Sequence, residues 1–269
     1  MIISHKYKYL FVELPLTAST AVSKELRENY DGESILYKHA TYHEFLKIAS
    51  PEEKQYFVFS GMRNPLDQAV SHYFKFLTDY KDQFSDNQKF QRRGIHKLAY
   101  DFSHMNRYRF IQDSEADFST FFLKFYKAPY NNWSSLAHDK FDFILRFENL
   151  AGDFAKLLEV MRIEPKRPLP SKNRTAAREQ DFLSYYDTPE LINRAKWVFG
   201  PYMKKWGYAF PEAWGDSSIS PLQQLEFQFL DIFRNLYWRY IRRPFYRPSK
   251  PASTRHNKEG MYFQDKNVK

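Results

Sequence analysis

The chain has 269 residues, of which 43% are hydrophobic and 19% aromatic, no cysteine, and a formal net charge of +9. This excludes disulfides and thiolate metal sites, argues against disorder for most of the chain, and leaves room for one large domain or two small ones. The positive charge favours phosphates, acidic or sulfated glycans, nucleic acid or anionic lipid, and is equally compatible with a solvated basic surface that holds no specific ligand.

The N-terminal MIISHKYKYLFVELP runs straight into an apolar stretch. It lacks the basic segment, long apolar run and cleavage site of a signal peptide, and no stretch reaches the length of a membrane span. A bacterial cytoplasm is the expected location. The run YKYLFVEL (7–14) predicts a buried strand closed by Pro15, and 18–30 predicts a helix with Ser19 or Thr20 near its cap. SILYKHA (34–40) predicts a second strand, and TYHEFLKIA (41–49) a helix. QYFVFSGMRNP (55–65) predicts a strand entering a turn at Arg63-Asn64-Pro65, and 66–77 has helical spacing. Residues 78–115 are polar and charged and read as an insertion or lid; 118–126 reads as a helix.

KFDFILRFENL (140–150) predicts a third strong strand, followed by a helix over AGDFAKLLEVMRI. A proline-rich basic loop (164–180) comes next, then a helix over 187–208 opened by DTPE. Residues 220–243 predict a long amphipathic helix, within a C-terminal extension over 216–245, and 246–269 a disordered basic tail. Strands alternating with helices predict an α/β fold: a central parallel sheet flanked by helices, in a main domain over 1–215. Ligands of such sheets bind beyond the carboxyl ends of the strands, where PLTAST, MRNP and RFENL all fall.

LPLTAST has the layout of a phosphate cradle: strand, tight loop, helix N-terminus with hydroxyls at Ser19 and Thr20. It lacks the glycines and lysine of a nucleotide-hydrolysing P-loop, and on its own it fits an ordinary strand-to-helix turn as well. In RNPLDQAVS, Arg63 ends a strand and supplies a planar fork of donors for phosphate, and Ser71 adds a hydroxyl two turns into the next helix. A salt-bridged turn arginine is the plain alternative.

Taken together and in order, Pro15-Leu16-Thr17-Ala18-Ser19-Thr20, Arg63-Asn64-Pro65 through Ser71, and FDFILRFENLAGDF (141–154) resemble the sulfotransferases that use 3′-phosphoadenosine 5′-phosphosulfate (PAPS). The resemblance covers about residues 5–208 and is nearest to the glycan-modifying branch. It implies a P-loop-like sulfotransferase fold with a helical insertion. It also implies that residues Leu16 to Ala21 hold the 5′-phosphosulfate, that Arg63 and Ser71 hold the 3′-phosphate, and that Lys172 and Arg174 contact the 3′-phosphate or cover the adenine, a solvated basic loop being the plain alternative for the last two. No metal is implied. A base must take the proton of the attacking sugar hydroxyl; His39 resembles the branch's base by position, and His43 and Glu44 also qualify by chemistry. The implied acceptor is a glycan or glycolipid.

Leu16 departs from the family's loop lysine, which neutralises charge on the leaving oxygen. Either another cation reaches in, with Lys38, Arg174 and Lys24 as candidates, or the chain is an impaired relative that binds a nucleotide or a sulfated glycan. A nucleic-acid partner is not expected, because no recognised motif accompanies the basic charge. The helix 220–243 either packs on the core, pairs with a second subunit, or lies on an anionic membrane.

Overall fold

The computed structural model describes residues 1–85, 98–132, 141–170, 180–237 and 240. Lys172, Arg174, the tail 246–269 and residues 86–97 of the expected insertion lie outside the described residues, as does nearly all of the expected C-terminal helix beyond residue 237. The chain divides into two compact units, one built from Met1–Arg63, Asn132–Lys172 and Trp238–Lys269, the other from Asn64–Asn131 and Asn173–Tyr237.

The first unit contains a five-stranded sheet in the order β3-β1-β2-β4-β5. The strands are β1 (Ile2–Ser4), β2 (Tyr9–Val12), β3 (Glu33–Ser34), β4 (Phe57–Met62) and β5 (Phe143–Arg146). The central strands β2, β4 and β5 pair in parallel, with Leu10 opposite Val58 and Ser60 opposite Ile144. β2 and β4 are nearly continuous buried apolar runs, as a sheet covered on both faces requires. The expected parallel sheet is parallel at its centre and mixed as a whole: β1 is antiparallel to both β2 and β3. It folds back on β2 through a tight turn that ends at Lys8, whose φ is 53°.

The strand expected over 34–40 is corrected as well. Only Glu33–Ser34 pair, because Leu36 and His39 adopt left-handed φ values of 56° and 63°, which an extended strand cannot contain. Helix α1 (Ser19–Asn29) follows β2, and α2 (Tyr42–Leu46) precedes β4. The core packs Tyr9, Phe11, Phe59 and Leu145 of the sheet with Val22, Leu26 and Tyr30 and with Phe154, Leu157 and Leu158. The last three come from α6 (Leu150–Val160), which follows β5. Arg167 clamps its loop to α1 through the buried Glu25, Nη2 to Oε2 at 2.7 Å and Nε to both oxygens at 3.1 Å.

The second unit is helical among its described residues. It contains α3 (Pro65–Leu77), α4 (Leu98–Ser114), α5 (Phe118–Phe125), α7 (Pro189–Trp206) and α8 (Pro221–Leu236). Asn64 caps α3, its side chain accepting from Leu66 N at 2.9 Å, and Pro65 takes the first helical position. The core is aromatic: Phe118 and Phe122 both meet Tyr186 edge to face, with ring centroids 5.2 and 5.3 Å apart. The Tyr186 hydroxyl donates to the Leu66 carbonyl at 3.0 Å, so the buried ring keeps its polar end satisfied.

Candidate functional site

Because β2, β4 and β5 run parallel, their carboxyl ends share one edge of the sheet, and the candidate site is built there within the first unit. The loop after β2 is held in an unusual backbone conformation. Leu16 and Ala18 have φ values of 62° and 57°, each costing a non-glycine residue roughly 1–2 kcal/mol. Thr17 between them is buried and donates from Oγ1 to the Leu14 carbonyl at 3.0 Å. Two left-handed residues in three positions persist only where surrounding contacts hold them.

One such contact comes from β4. A Cβ placed on Gly61 would lie 2.8 Å from Thr17 Oγ1 and 3.0 Å from the Thr17 carbonyl oxygen. The loop therefore rests directly on the strand at the one position that has no side chain. Gly61 was not singled out from sequence, although a glycine inside an apolar strand is the signal of a close backbone approach.

Helix α1 starts from Ala18 with no side-chain cap, and Ser19, expected near the cap, is its first helical residue. Its first amides are left for solvent or a ligand, at the positive end of the helix. Ser19 is buried there, Thr20 is exposed, and Ala21 donates its N–H to the Ala18 carbonyl at 2.9 Å.

Among the described residues, two cations reach this loop. Lys38 Nζ lies 2.8 Å from Thr20 Oγ1. Arg63, only 7% exposed at the end of β4, donates from Nη1 to the Leu16 carbonyl at 3.3 Å. Its guanidinium carbon sits 4.1 Å from the centroid of the Phe147 ring, a stacked arrangement that suits arginine. Phe147, the aromatic of RFENL, thus supports Arg63, a role not read from sequence. Lys24 is not brought to the loop; its Nζ pairs with Glu28 along α1 at 3.6 Å. Arg174 lies outside the described residues.

His39 is fastened to the same strand end. Its Nδ1 is 2.9 Å from the Glu13 carbonyl oxygen. A carbonyl only accepts, so Nδ1 carries the proton and Nε2 the lone pair. Burial pushes the His39 pKa down to about 4, and the Lys38 charge adds to this; the bond to the Glu13 carbonyl and the Glu13 carboxylate pull the other way without prevailing. The ring is therefore neutral at neutral pH. Burial alone would raise the Glu13 carboxyl, but the N-terminal ammonium at 2.8 Å and the Ser23 hydroxyl at 2.6 Å hold it below the usual range.

The other two candidate bases lie on α2. Thr41 and Glu44 form a capping box. The Glu44 carboxylate accepts from Thr41 N at 2.7 Å, from Thr41 Oγ1 at 2.9 Å and from the Tyr37 hydroxyl, so its oxygens are engaged in closing the helix. His43 is partly buried in the last turn of α2. Ser71 is buried in α3; it belongs to the second unit, whereas Arg63 closes this part of the first.

Compared with protein-family models, curated proteins and solved structures, the chain gives no match.

Proposed function

We propose that the protein is a PAPS-dependent sulfotransferase acting on a hydroxyl of a glycan or glycolipid. The observation that carries this reading is the junction of β2 and α1: a loop held in left-handed backbone, opening into a helix with uncapped amides, with the Lys38 ammonium 2.8 Å from the Thr20 hydroxyl. Such a junction suits an anion. In this reading the first amides of α1, at Ser19 and Thr20, and the hydroxyls of the same two residues bind the 5′-phosphosulfate. Arg63 places a buried positive charge beside the loop and serves the 3′-phosphate. Lys172 and Arg174 remain the proposed cover of the nucleotide.

Bound there, PAPS supplies a sulfuryl group whose bond to the bridging oxygen breaks as the bond to the acceptor oxygen forms. His39 accepts the acceptor's hydroxyl proton at Nε2, the nitrogen left bare by the bond to Glu13. Lys38 takes the part of the absent loop lysine and offsets charge on the departing phosphate. Rate enhancement then comes from positioning and from charges placed ahead of the reaction. A second reading, a binder without turnover, draws on Leu16 alone.

The test is calorimetry with 3′-phosphoadenosine 5′-phosphate, together with transfer from labelled PAPS to a panel of glycans and glycolipids. Arg63→Ala should weaken nucleotide binding by about 2–3 kcal/mol, roughly thirtyfold to more than a hundredfold. Wild-type protein that fails to bind the nucleotide, or a folded Arg63→Ala protein that binds it unchanged, overturns the reading.

A further inference from the structure

Helix α8 has two working faces. One holds it to the second unit. There Gln223 and Phe227 are buried, and the Gln223 amide donates to the carbonyls of Lys196 and Trp197 at 2.8 and 2.7 Å. Asn131 donates to Asp231 at 2.8 Å. The other face carries Leu222, Leu225, Phe229, Ile232, Phe233 and Leu236, each between 46% and 68% exposed. At about 100° per residue these six fall within roughly 100° of arc, opposite the anchored face. None is charged. Phe229 and Phe233 already meet edge to face, with centroids 4.8 Å apart. A continuous apolar stripe of this kind marks an interaction surface.

Charge selects the occupant. Lys204 and Lys205 line the groove of about 650 Å³ beside the helix, with Gln224 and Gln228. From Ile232 to Lys258 the sequence holds six arginines, two lysines and no Asp or Glu. Trp238, Tyr240, Phe245 and Tyr246 are interleaved with them. Leu and Phe on one side of a helix, lysines beside it and a run of arginine and aromatic residues next in sequence are the composition of a segment that binds a headgroup layer. A self-pairing coiled coil fits less well. The 222-225-229-232-236 spacing would put Arg239 at the next seam position, and the flanking positions hold Glu226, Gln228, Phe233 and Asn235 rather than paired opposite charges. Among the described residues no helix is long and apolar enough to cross a membrane.

We propose that α8 docks the protein on an anionic lipid bilayer, its apolar face in the headgroup boundary. This docking does not depend on the chemistry proposed above. The experiment is flotation of the full chain with vesicles of phosphatidylcholine, with and without phosphatidylglycerol. Wild type should float with the anionic vesicles, at least about tenfold better than with the neutral ones, and added salt should weaken it. Phe229→Gln/Phe233→Gln, and separately Leu222→Gln/Leu225→Gln, should lower the partition about tenfold or more with an unchanged melting temperature. Protein that stays with the soluble fraction overturns the proposal, as do equal binding to neutral vesicles and unchanged binding by both folded variants. A dimer seen by light scattering, dissociated by the same variants, would identify a second copy as the occupant instead.

Discussion

The Nζ of Lys38 stands 2.8 Å from the Oγ1 of Thr20, which brings an ammonium from the segment before α2 to the first turn of α1. In the proposed chemistry this is the charge that meets the departing phosphate. Lys38→Met keeps the bulk of the side chain, removes the charge and leaves the fold intact, since residue 38 is exposed. Turnover should fall about a hundredfold, the scale seen when one donor to a developing charge is lost. Affinity for 3′-phosphoadenosine 5′-phosphate should change much less, because a charge that matters most in the transition state acts on rate rather than on binding. Steady-state kinetics and calorimetry on one preparation separate the two. Equal loss in both would make Lys38 a binding residue only.

His39 gives a pH dependence of stability with a definite sign. Its folded pKa is depressed from 6.5 to about 4, chiefly by burial. Above pH 6.5 the imidazole is neutral in both folded and unfolded chains. As pH falls from 6.5 toward 4 the unfolded chain takes up a proton that the folded chain refuses. The native state should then lose up to about 3 kcal/mol over that window, and no more from this group below it. Urea denaturation of wild type and His39→Gln at pH 7 and pH 4 measures the difference. The variant should show a smaller acid loss, and parallel losses would remove His39 from the account. Separately, His39→Gln should lower turnover about a hundredfold with nucleotide affinity nearly intact.

Gly61 and Thr17 should be coupled. Gly61→Ala puts a methyl 2.8 Å from Thr17 Oγ1, so the loop must move or strain. Stability should drop by about 1–3 kcal/mol, and nucleotide affinity should fall with it. Thr17→Ala removes the Oγ1 atom while leaving the carbonyl 3.0 Å away, so it should recover part of the loss. A double-mutant cycle by denaturant unfolding should give a coupling above about 0.5 kcal/mol. Additive effects would mean that the loop does not bear on the strand.

The parts legible in sequence were those with a strong local period. β2, β4 and β5 are apolar runs, and α3 and α7 carry proline just inside their starts and Asn64 or Thr188 as caps. β1 is not legible, because three residues give no period to read. The false strand over 34–40 came from an apolar alternation broken by left-handed backbone at Leu36 and His39, residue types that do not advertise it. Helix α4 was hidden because apolar residues surround it: Ile111 is buried in the core while Phe102 is 74% exposed. At the site, the strand-loop-helix and Arg63 were visible as motifs. The approach of Arg63 to Leu16, the Phe147 ring beneath it and the fastening of His39 to Glu13 are tertiary contacts, absent from any local pattern.

Leu16 decides between enzyme and binder. In the proposed function nucleotide binding at the loop draws on backbone amides and on the Ser19 and Thr20 hydroxyls, so the residue-16 side chain should be dispensable for affinity. Transfer needs a cation near the leaving oxygen. Lys38 at Thr20 and Arg63 at the Leu16 carbonyl already concentrate positive charge there. A third cation at position 16 would sit in a residue whose φ is already 62° and would be repelled by its neighbours. Leu16→Lys should therefore change turnover by no more than about threefold at saturating PAPS. In the Lys38→Met background the same substitution should restore turnover about tenfold or more, since the vacated charge is then replaced. The measurement is sulfuryl transfer by the four proteins of this cycle across glycan and glycolipid acceptors. A wild type inactive on every acceptor and awakened by Leu16→Lys alone would mark the natural protein as a nucleotide binder, with Lys38 unable to do a lysine's work from where it stands.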